Sequence, residues 1–189
     1  MKPAGPGVKL TYDDYVRFPE DGMRHELIDG AHYVTPSPNH EHQHVLGELF
    51  GAIWSHVKAH PIGRVYVAPF DVLFSRVDVV EPDILYMSNE TAARIITPQN
   101  VQGAPDLVVE IASPGTTRRD ATIKYELYQR FGVAEYWIVD PEAKVIRIHR
   151  NESGRFGTPI ELSRDMADVL TTPLLPGFEL PLTRLFQSL

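Results

Sequence analysis

Two acidic residues lie in sequence segments that are otherwise apolar. Asp83 stands in the run 81–87 and Glu110 in the run 106–112. Both runs have the length and composition of buried strands, where an ionised carboxylate is costly unless it is paired or binds a metal ion. The alternative for each residue is a carboxylate at the end of the sheet or one paired with an arginine. Two such residues in separate strands leave this alternative and a shared charged site equally open.

A lysine completes this set. At about 100° per residue, Lys124 falls on the apolar arc of a predicted helix over 120–131. A lysine in such a position usually packs its stem and extends its ammonium to solvent. If Asp83 and Glu110 face the same side of the sheet, a charge triad becomes the preferred interpretation.

Such a triad supports metal-dependent hydrolysis of a phosphodiester. Two carboxylates bind hard, oxygen-seeking ions such as Mg²⁺, with Mn²⁺ as a substitute. The lysine would neutralise developing negative charge or help to deprotonate an attacking water. We therefore expect Asp83 and Glu110 as metal ligands and Lys124 as the third catalytic residue. Removing one carboxylate charge from this acidic cluster is expected to be neutral or stabilising for folding.

Composition sets the class of protein. The 189 residues are 43% hydrophobic and 23% charged, which is typical of a globular domain. We expect one domain over 1–189, with flexible ends at 1–9 and 186–189. The absence of cysteine excludes a disulfide scaffold, a thiolate zinc site and a thiol nucleophile. The net charge of −7 excludes a polybasic binder but permits a nuclease with a local basic rim.

The apolar segments also bear on location. We find no signal peptide and no run that approaches the roughly 18 apolar residues of a membrane span. We therefore expect a cytoplasmic protein without a membrane partner, and a homodimer is compatible with the sequence.

The predicted elements indicate an α/β or α+β fold, in which a mixed β-sheet is flanked by helices. Asp29-Gly30 marks a hairpin turn, and Gly132 ends the helix that carries Lys124. In chain order we predict a helix at 11–18, a hairpin at 26–35, a helix at 45–57, strands at 65–68, 70–74, 82–87 and 106–112, a helix at 120–131, and a hairpin at 135–149.

Several blocks of the sequence carry a family resemblance. They are Glu81-Pro82-Asp83, Pro105 to Ile111, Arg119 to Tyr128, Gly132 to Pro141, Glu26 to Gly30, and Ser37-Pro38 with His40. Together they resemble the Uma-type family of putative restriction endonucleases, within the PD-(D/E)xK nuclease superfamily, over most of residues 10–185. The resemblance implies a restriction-endonuclease-like core. We expect DNA as the substrate and Mg²⁺ as the cofactor, while RNA cleavage and the kind of specificity stay open. By position, the resemblance implies Asp83 as the first acid and Glu110 as the second.

One position departs from the superfamily motif. The lysine of the motif stands two residues after the second acid, where this chain has Ala112, and the resemblance implies that its role has moved to Lys124. The resemblance also implies Glu26 as an auxiliary acid, although a hairpin carboxylate beside a turn explains it equally well. His40 is a second auxiliary candidate for the cleft, and Asp71 is a weaker one.

The segment His40 to His44 suggests a rival function. It matches H-E-x-x-H, in which two histidines of one helix face bind zinc and the glutamate acts as general base of a peptidase. Glu48 is a candidate third ligand. The simpler interpretation is a polar first turn capped by Asn39, because the motif begins where the helix begins.

A third hypothesis is a nuclease-derived fold that binds nucleic acid without cleaving it. The joint presence of Asp83, Glu110 and Lys124 argues against this alternative.

Overall fold

The computed structural model describes residues 8–35, 37–113 and 120–187. The predicted flexible ends therefore lie largely outside the described residues, as does residue range 114–119, which leads to the helix of Lys124. The elements are α1 Tyr12–Tyr15, β1 Arg24–Ile28, β2 Ala31–Thr35, α2 His40–Ala59, β3 Gly63–Val67, β4 Val72–Ser75, β5 Asp78–Val80, β6 Ile84–Ser88, α3 Asn89–Ile95, β7 Val101–Gln102, β8 Leu107–Ile111, a π-helical turn Asp120–Lys124, α4 Tyr125–Arg130, β9 Glu135–Asp140, β10 Val145–Glu152, β11 Arg155–Phe156, β12 Ile160–Ser163, β13 Val169–Leu170, β14 Leu180–Pro181 and α5 Leu182–Leu185.

The larger sheet is mixed and forms the centre of the fold. Its strand order is β11-β10-β9-β8-β6-β3, and β12 also pairs with β10. The pair β8–β9 is parallel, whereas β6 runs antiparallel to β8. Helices cover both faces of this sheet: Leu49 and Ile53 of α2 join one apolar cluster, and Leu127 and Tyr128 of α4 join the other. The predicted mixed sheet flanked by helices is thus confirmed.

A smaller sheet carries the N-terminal hairpin. Its order is β2-β1-β5-β4-β7. The hairpin turn is the predicted Asp29-Gly30 pair, whose φ angles of 51° and 73° are the positive values that a type I′ turn requires. This hairpin matters for function because β1 contributes two charged side chains to the site described below.

Two predicted helices differ from the observed ones, the first in where it starts and the second in its type. The helix expected over 45–57 begins five residues earlier, because the side chain of Asn39 accepts a hydrogen bond from the backbone amide of His42 and caps the polar first turn. The helix expected over 120–131 consists of the π-helical turn followed by α4, and it ends before Gly132, whose φ is 77°. No helix of the described residues has the length and apolar character needed to cross a membrane.

Candidate active site

Asp83 and Glu110 lie side by side at one end of the larger sheet. Asp83 immediately precedes β6 instead of lying within it, and Glu110 is in β8. In the antiparallel pair of β6 and β8, Ile84 lies opposite Val109. If this register is extended by one residue, Asp83 lies opposite Glu110. Both are buried, at 1% and 2% exposure. Glu110 thus lies in a strand as predicted, whereas Asp83 takes the sheet-end position that the sequence left open as an alternative.

Three donors surround the Asp83 carboxylate. Arg24 Nη2 lies 2.9 Å from Oδ1, while His42 Nε2 at 3.1 Å and the amide of Ile111 at 2.8 Å share Oδ2. Burial raises the pKa of Asp83, but the His42 hydrogen bond and the Arg24 charge outweigh it and lower this pKa to about 2. Asp83 is therefore ionised at neutral pH.

This environment overturns one expectation for Asp83. A folded-state pKa of about 2, against an ordinary value near 4, corresponds to about 2 kcal/mol of stability at pH 7. Because the folded pKa is depressed, that stability is present above about pH 4 and is lost as the pH falls toward 2. Neutralising Asp83 should therefore destabilise the fold, since its charge is paired with Arg24.

Lys124 reaches the second acid. Its Nζ lies 2.8 Å from Glu110 Oε1 and 2.8 Å from Glu26 Oε1, and the side chain is 1% exposed. The ammonium is thus enclosed between two carboxylates and does not extend to solvent. Lys124 is the last residue of the π-helical turn, a local irregularity that is frequent at functional sites.

Two further contacts fix Glu26 and Glu110. Glu26, from β1, is fully buried and its Oε1 also accepts the backbone amide of Glu81 at 3.1 Å. Tyr128 donates its hydroxyl to Glu110 Oε1 at 2.6 Å. Burial, and then the charge of Glu110, raise the pKa of Tyr128 well above its usual value, so the hydroxyl remains a donor. Glu26 therefore contacts Lys124, which also pairs with Glu110, and its role as an auxiliary acid stays a prediction.

Charge is nearly balanced within this cluster. Burial lowers the pKa of Arg24, but the neighbouring charges of Asp83, Glu110 and Glu26 raise it further than burial lowers it, so the guanidinium stays charged. The three carboxylates face two permanent cations, Arg24 and Lys124, and Asp83 also contacts His42.

A cavity of about 760 Å³ opens onto these groups. It lies between the N-terminal hairpin, the start of α2 and the end of the larger sheet. Its lining includes Arg24, His42, Asp83, Glu110 and Lys124. The volume is within the range of ligand-binding clefts.

Asp71 lies next to this cavity, because the Tyr15 hydroxyl contacts both Asp71 and the cavity-lining Glu81. Tyr15 donates to Asp71 Oδ1 at 2.7 Å, and its oxygen lies 3.1 Å from Oε1 of Glu81, which lines the cavity. Burial raises the pKa of both Asp71 and Glu81. Asp71 thus belongs to an acid pair at the margin of the site.

His40 is placed elsewhere. It is exposed at the start of α2 and lines a separate pocket of about 250 Å³ together with Glu41 and His44. His44 Nε2 lies 3.0 Å from the backbone oxygen of Gln187. Within the described ranges, no three His, Cys, Asp or Glu side chains form a group that could hold a metal ion. The expectation that His40 lines the nuclease cleft is therefore not met, and the H-E-x-x-H histidines acquire no third ligand there.

Sequence reasoning missed Arg24 and His42. The first stands at the start of a strand and the second in a polar helix turn, and both positions are typical of solvated side chains. One signal was available for His42: it lies three residues after the cap Asn39, so it faces inward when His40 faces outward.

The donor set fits a divalent ion that takes two of its ligands from the protein. Asp83 and Glu110 offer hard carboxylate oxygens in the wall of one cavity. With two protein carboxylates, the remaining coordination positions fall to water and substrate oxygens, as is usual for Mg²⁺. The pairing of Asp83 with Arg24 means that such an ion has to compete with a side chain.

The fold has a clear counterpart among solved structures. A crystal structure from Anabaena variabilis, described as a putative nuclease belonging to DUF820, superposes with a TM-score of 0.78 and 21% sequence identity, covering 94% of this chain and 97% of that one. The type IIG restriction endonuclease BpuSI gives a TM-score of 0.42 at 13% identity, over 81% of this chain and 17% of that chain, and carries no weight for the fold.

Sequence comparison identifies the family. No curated protein matches the chain. Residues 12–183 match the family model described as "Uma2: Putative restriction endonuclease", which covers most of the chain. The chain therefore belongs to the Uma2 family of putative restriction endonucleases.

Proposed function

We propose that this protein is a metal-dependent endonuclease that hydrolyses phosphodiester bonds of DNA. The observation that carries the proposal is the convergence of Asp83, Glu110 and Lys124 on one cavity. Membership of a family described as restriction endonucleases supports nuclease function and a DNA substrate. The Anabaena protein of the same fold, which is described as a "putative nuclease", supports it further.

Asp83 and Glu110 would hold Mg²⁺ or Mn²⁺ through their carboxylate oxygens. A divalent ion held there would supply positive charge to the phosphoryl oxygens and lower the pKa of a water ligand. His42 and the Ile111 amide fix the orientation of Asp83, and Tyr128 fixes that of Glu110. These contacts preorganise both ligands before substrate arrives.

Lys124 would assist the attack of water. Its ammonium is held in place by Glu26 and Glu110, so it needs no reorganisation to donate a hydrogen bond toward the cavity. A donor at this position stabilises negative charge as it develops on the attacked phosphate. Glu26 acts through Lys124, by fixing its position.

The proposal is tested by incubating the protein with supercoiled plasmid, single-stranded DNA and RNA, each in Mg²⁺, Mn²⁺ or EDTA. We expect cleavage of DNA in Mg²⁺ or Mn²⁺ and none in EDTA. Glu110→Gln and Asp83→Asn should abolish cleavage, and circular dichroism has to show that each variant remains folded at the assay temperature. His40→Ala is the control, because His40 lies outside the cavity, and it should cleave at the wild-type rate.

Two results would contradict the proposal. Undiminished cleavage by both carboxylate variants would place the active site elsewhere. DNA binding without cleavage in either metal ion would instead favour the non-hydrolytic alternative.

A further inference from the structure

Arg24 is a cation of the cavity that the roles above leave unused. Its side chain is 20% exposed, whereas that of Lys124 is 1% exposed and enclosed by two carboxylates. Among the described lining residues, these two carry the permanent positive charges. Arg24 is therefore the more accessible of these two cations to an anion that enters the cavity.

The position of Arg24 also conflicts with metal binding. His42 and the Ile111 amide occupy Asp83 Oδ2, and the other oxygen, Oδ1, accepts from Arg24 at 2.9 Å. A divalent cation and a guanidinium bound at the same carboxylate oxygen repel each other and compete for it. One of the two has to yield when the other is bound.

We propose that Arg24 is an exchangeable counterion, which pairs with Asp83 in the metal-free protein, leaves it when a divalent cation binds, and then binds a phosphate group of the substrate. This inference rests on the proposed function and adds a phosphate-binding residue to it. A guanidinium suits both states, because its fork of N–H donors matches carboxylate and phosphate oxygens equally well.

The charge balance favours this exchange. Without metal, Arg24 and Lys124 already face the three carboxylates, and His42 contacts Asp83 as well. A divalent ion would add two positive charges beside Arg24, which favours movement of the guanidinium away from Asp83. Its most favourable new partner is then an anion in the adjoining cavity.

The test is the Arg24→Gln variant, for which the proposal predicts opposite effects on two ligands. Without its competitor, Mn²⁺ should bind at least about tenfold more tightly, measured by electron paramagnetic resonance with the metal alone. A short DNA duplex in Ca²⁺ should bind at least about tenfold more weakly, because a phosphate contact is lost. Arg130→Gln is the matched control: Arg130 pairs with the buried Asp78 away from the cavity, so neither affinity should change.

A second measurement needs no variant. Arg24 should react faster with phenylglyoxal in Mg²⁺ than in EDTA, by at least about threefold, because it has left Asp83. DNA should then protect it. Peptide mapping by mass spectrometry reads the rate for each arginine, and the exposed Arg130 provides an internal reference whose rate should not change.

The outcomes separate this inference from the proposed function. If the wild type binds Mn²⁺ and Arg24→Gln binds it no more tightly, the exchange is refuted while the nuclease proposal stands. If metal affinity rises but DNA affinity is unchanged, Arg24 is not a phosphate ligand. If the wild type binds no Mn²⁺ and cleaves nothing, both proposals fail.

Discussion

Replacing Lys124 by methionine tests the geometry of the charge cluster. Methionine keeps most of the volume of the lysine stem but removes the ammonium, and so leaves Glu26 and Glu110 facing each other without their shared cation. Breaking a buried ion pair by removing one partner costs about 3–5 kcal/mol. Because Tyr128 still donates to Glu110, we expect the lower end, about 3 kcal/mol.

The measurement is urea denaturation at pH 7 in EDTA, followed by circular dichroism. A domain is typically stable by about 5–15 kcal/mol, so a loss of this size lowers the midpoint without abolishing folding in most cases. The loss of stability caused by Lys124→Met should become smaller as the pH is lowered from 7 to 5, because the unpaired carboxylates of Glu26 and Glu110 in this variant take up protons. Glu26→Gln combined with Lys124→Met should recover part of the loss, since one of the repelling charges is gone.

Lys58→Met is the matched control for this experiment. Lys58 is exposed and lies over the ring of Trp54, so its replacement should change the free energy of unfolding by less than about 0.5 kcal/mol. A loss of less than about 1 kcal/mol for Lys124→Met would refute the buried geometry. Lys124 would then be a lysine that extends to solvent.

Two further predictions concern the surroundings of the site. His42→Ala should lower the free energy of unfolding in EDTA by about 1–3 kcal/mol, because Asp83 loses a buried hydrogen-bond donor. His42→Gln should lower it less, because the glutamine amide nitrogen can still donate to Asp83. Equal losses for the two variants would contradict the role of His42 as a donor. Burial raises the pKa of Asp71, so its ionised form weakens the fold as the pH rises through that pKa. Asp71→Asn, whose side-chain oxygen can still accept from Tyr15, should therefore be more stable than the wild type in urea denaturation at pH 7. This gain in stability should vanish near pH 4. A variant that is less stable than the wild type at pH 7 would refute the raised pKa of Asp71.

Local patterns predicted the parts of the fold that depend on neighbouring residues. The hairpin at Asp29-Gly30, the apolar stripe of α2 and the glycine after α4 were all readable, because each is a short-range signal. The pairing of the two segments that carry Asp83 and Glu110 was also predicted, because both segments are apolar and β-branched, but Asp83 lies just before its strand. The short elements β5, β7 and α3 were missed, because they span too few residues to show a period.

The partners of Asp83 could not be predicted in this way. Arg24 and His42 reach it from two elements that are distant in sequence, 59 and 41 residues away. Their approach depends on how the N-terminal hairpin and the start of α2 close over the end of the sheet, and no local pattern encodes that closure. The H-E-x-x-H spacing pointed to His40, but the residue of this first turn that is buried on the inner face of α2 is His42.

The most direct test of the central claim is the position of Mn²⁺ in crystals of the wild-type protein, located by anomalous scattering. We predict an anomalous peak in the cavity, within about 2.2 Å of a carboxylate oxygen of both Asp83 and Glu110. The same peak should be absent from crystals of Glu110→Gln. A well-occupied Mn²⁺ at His40 and His44, or no peak near either carboxylate at millimolar Mn²⁺, would contradict the account.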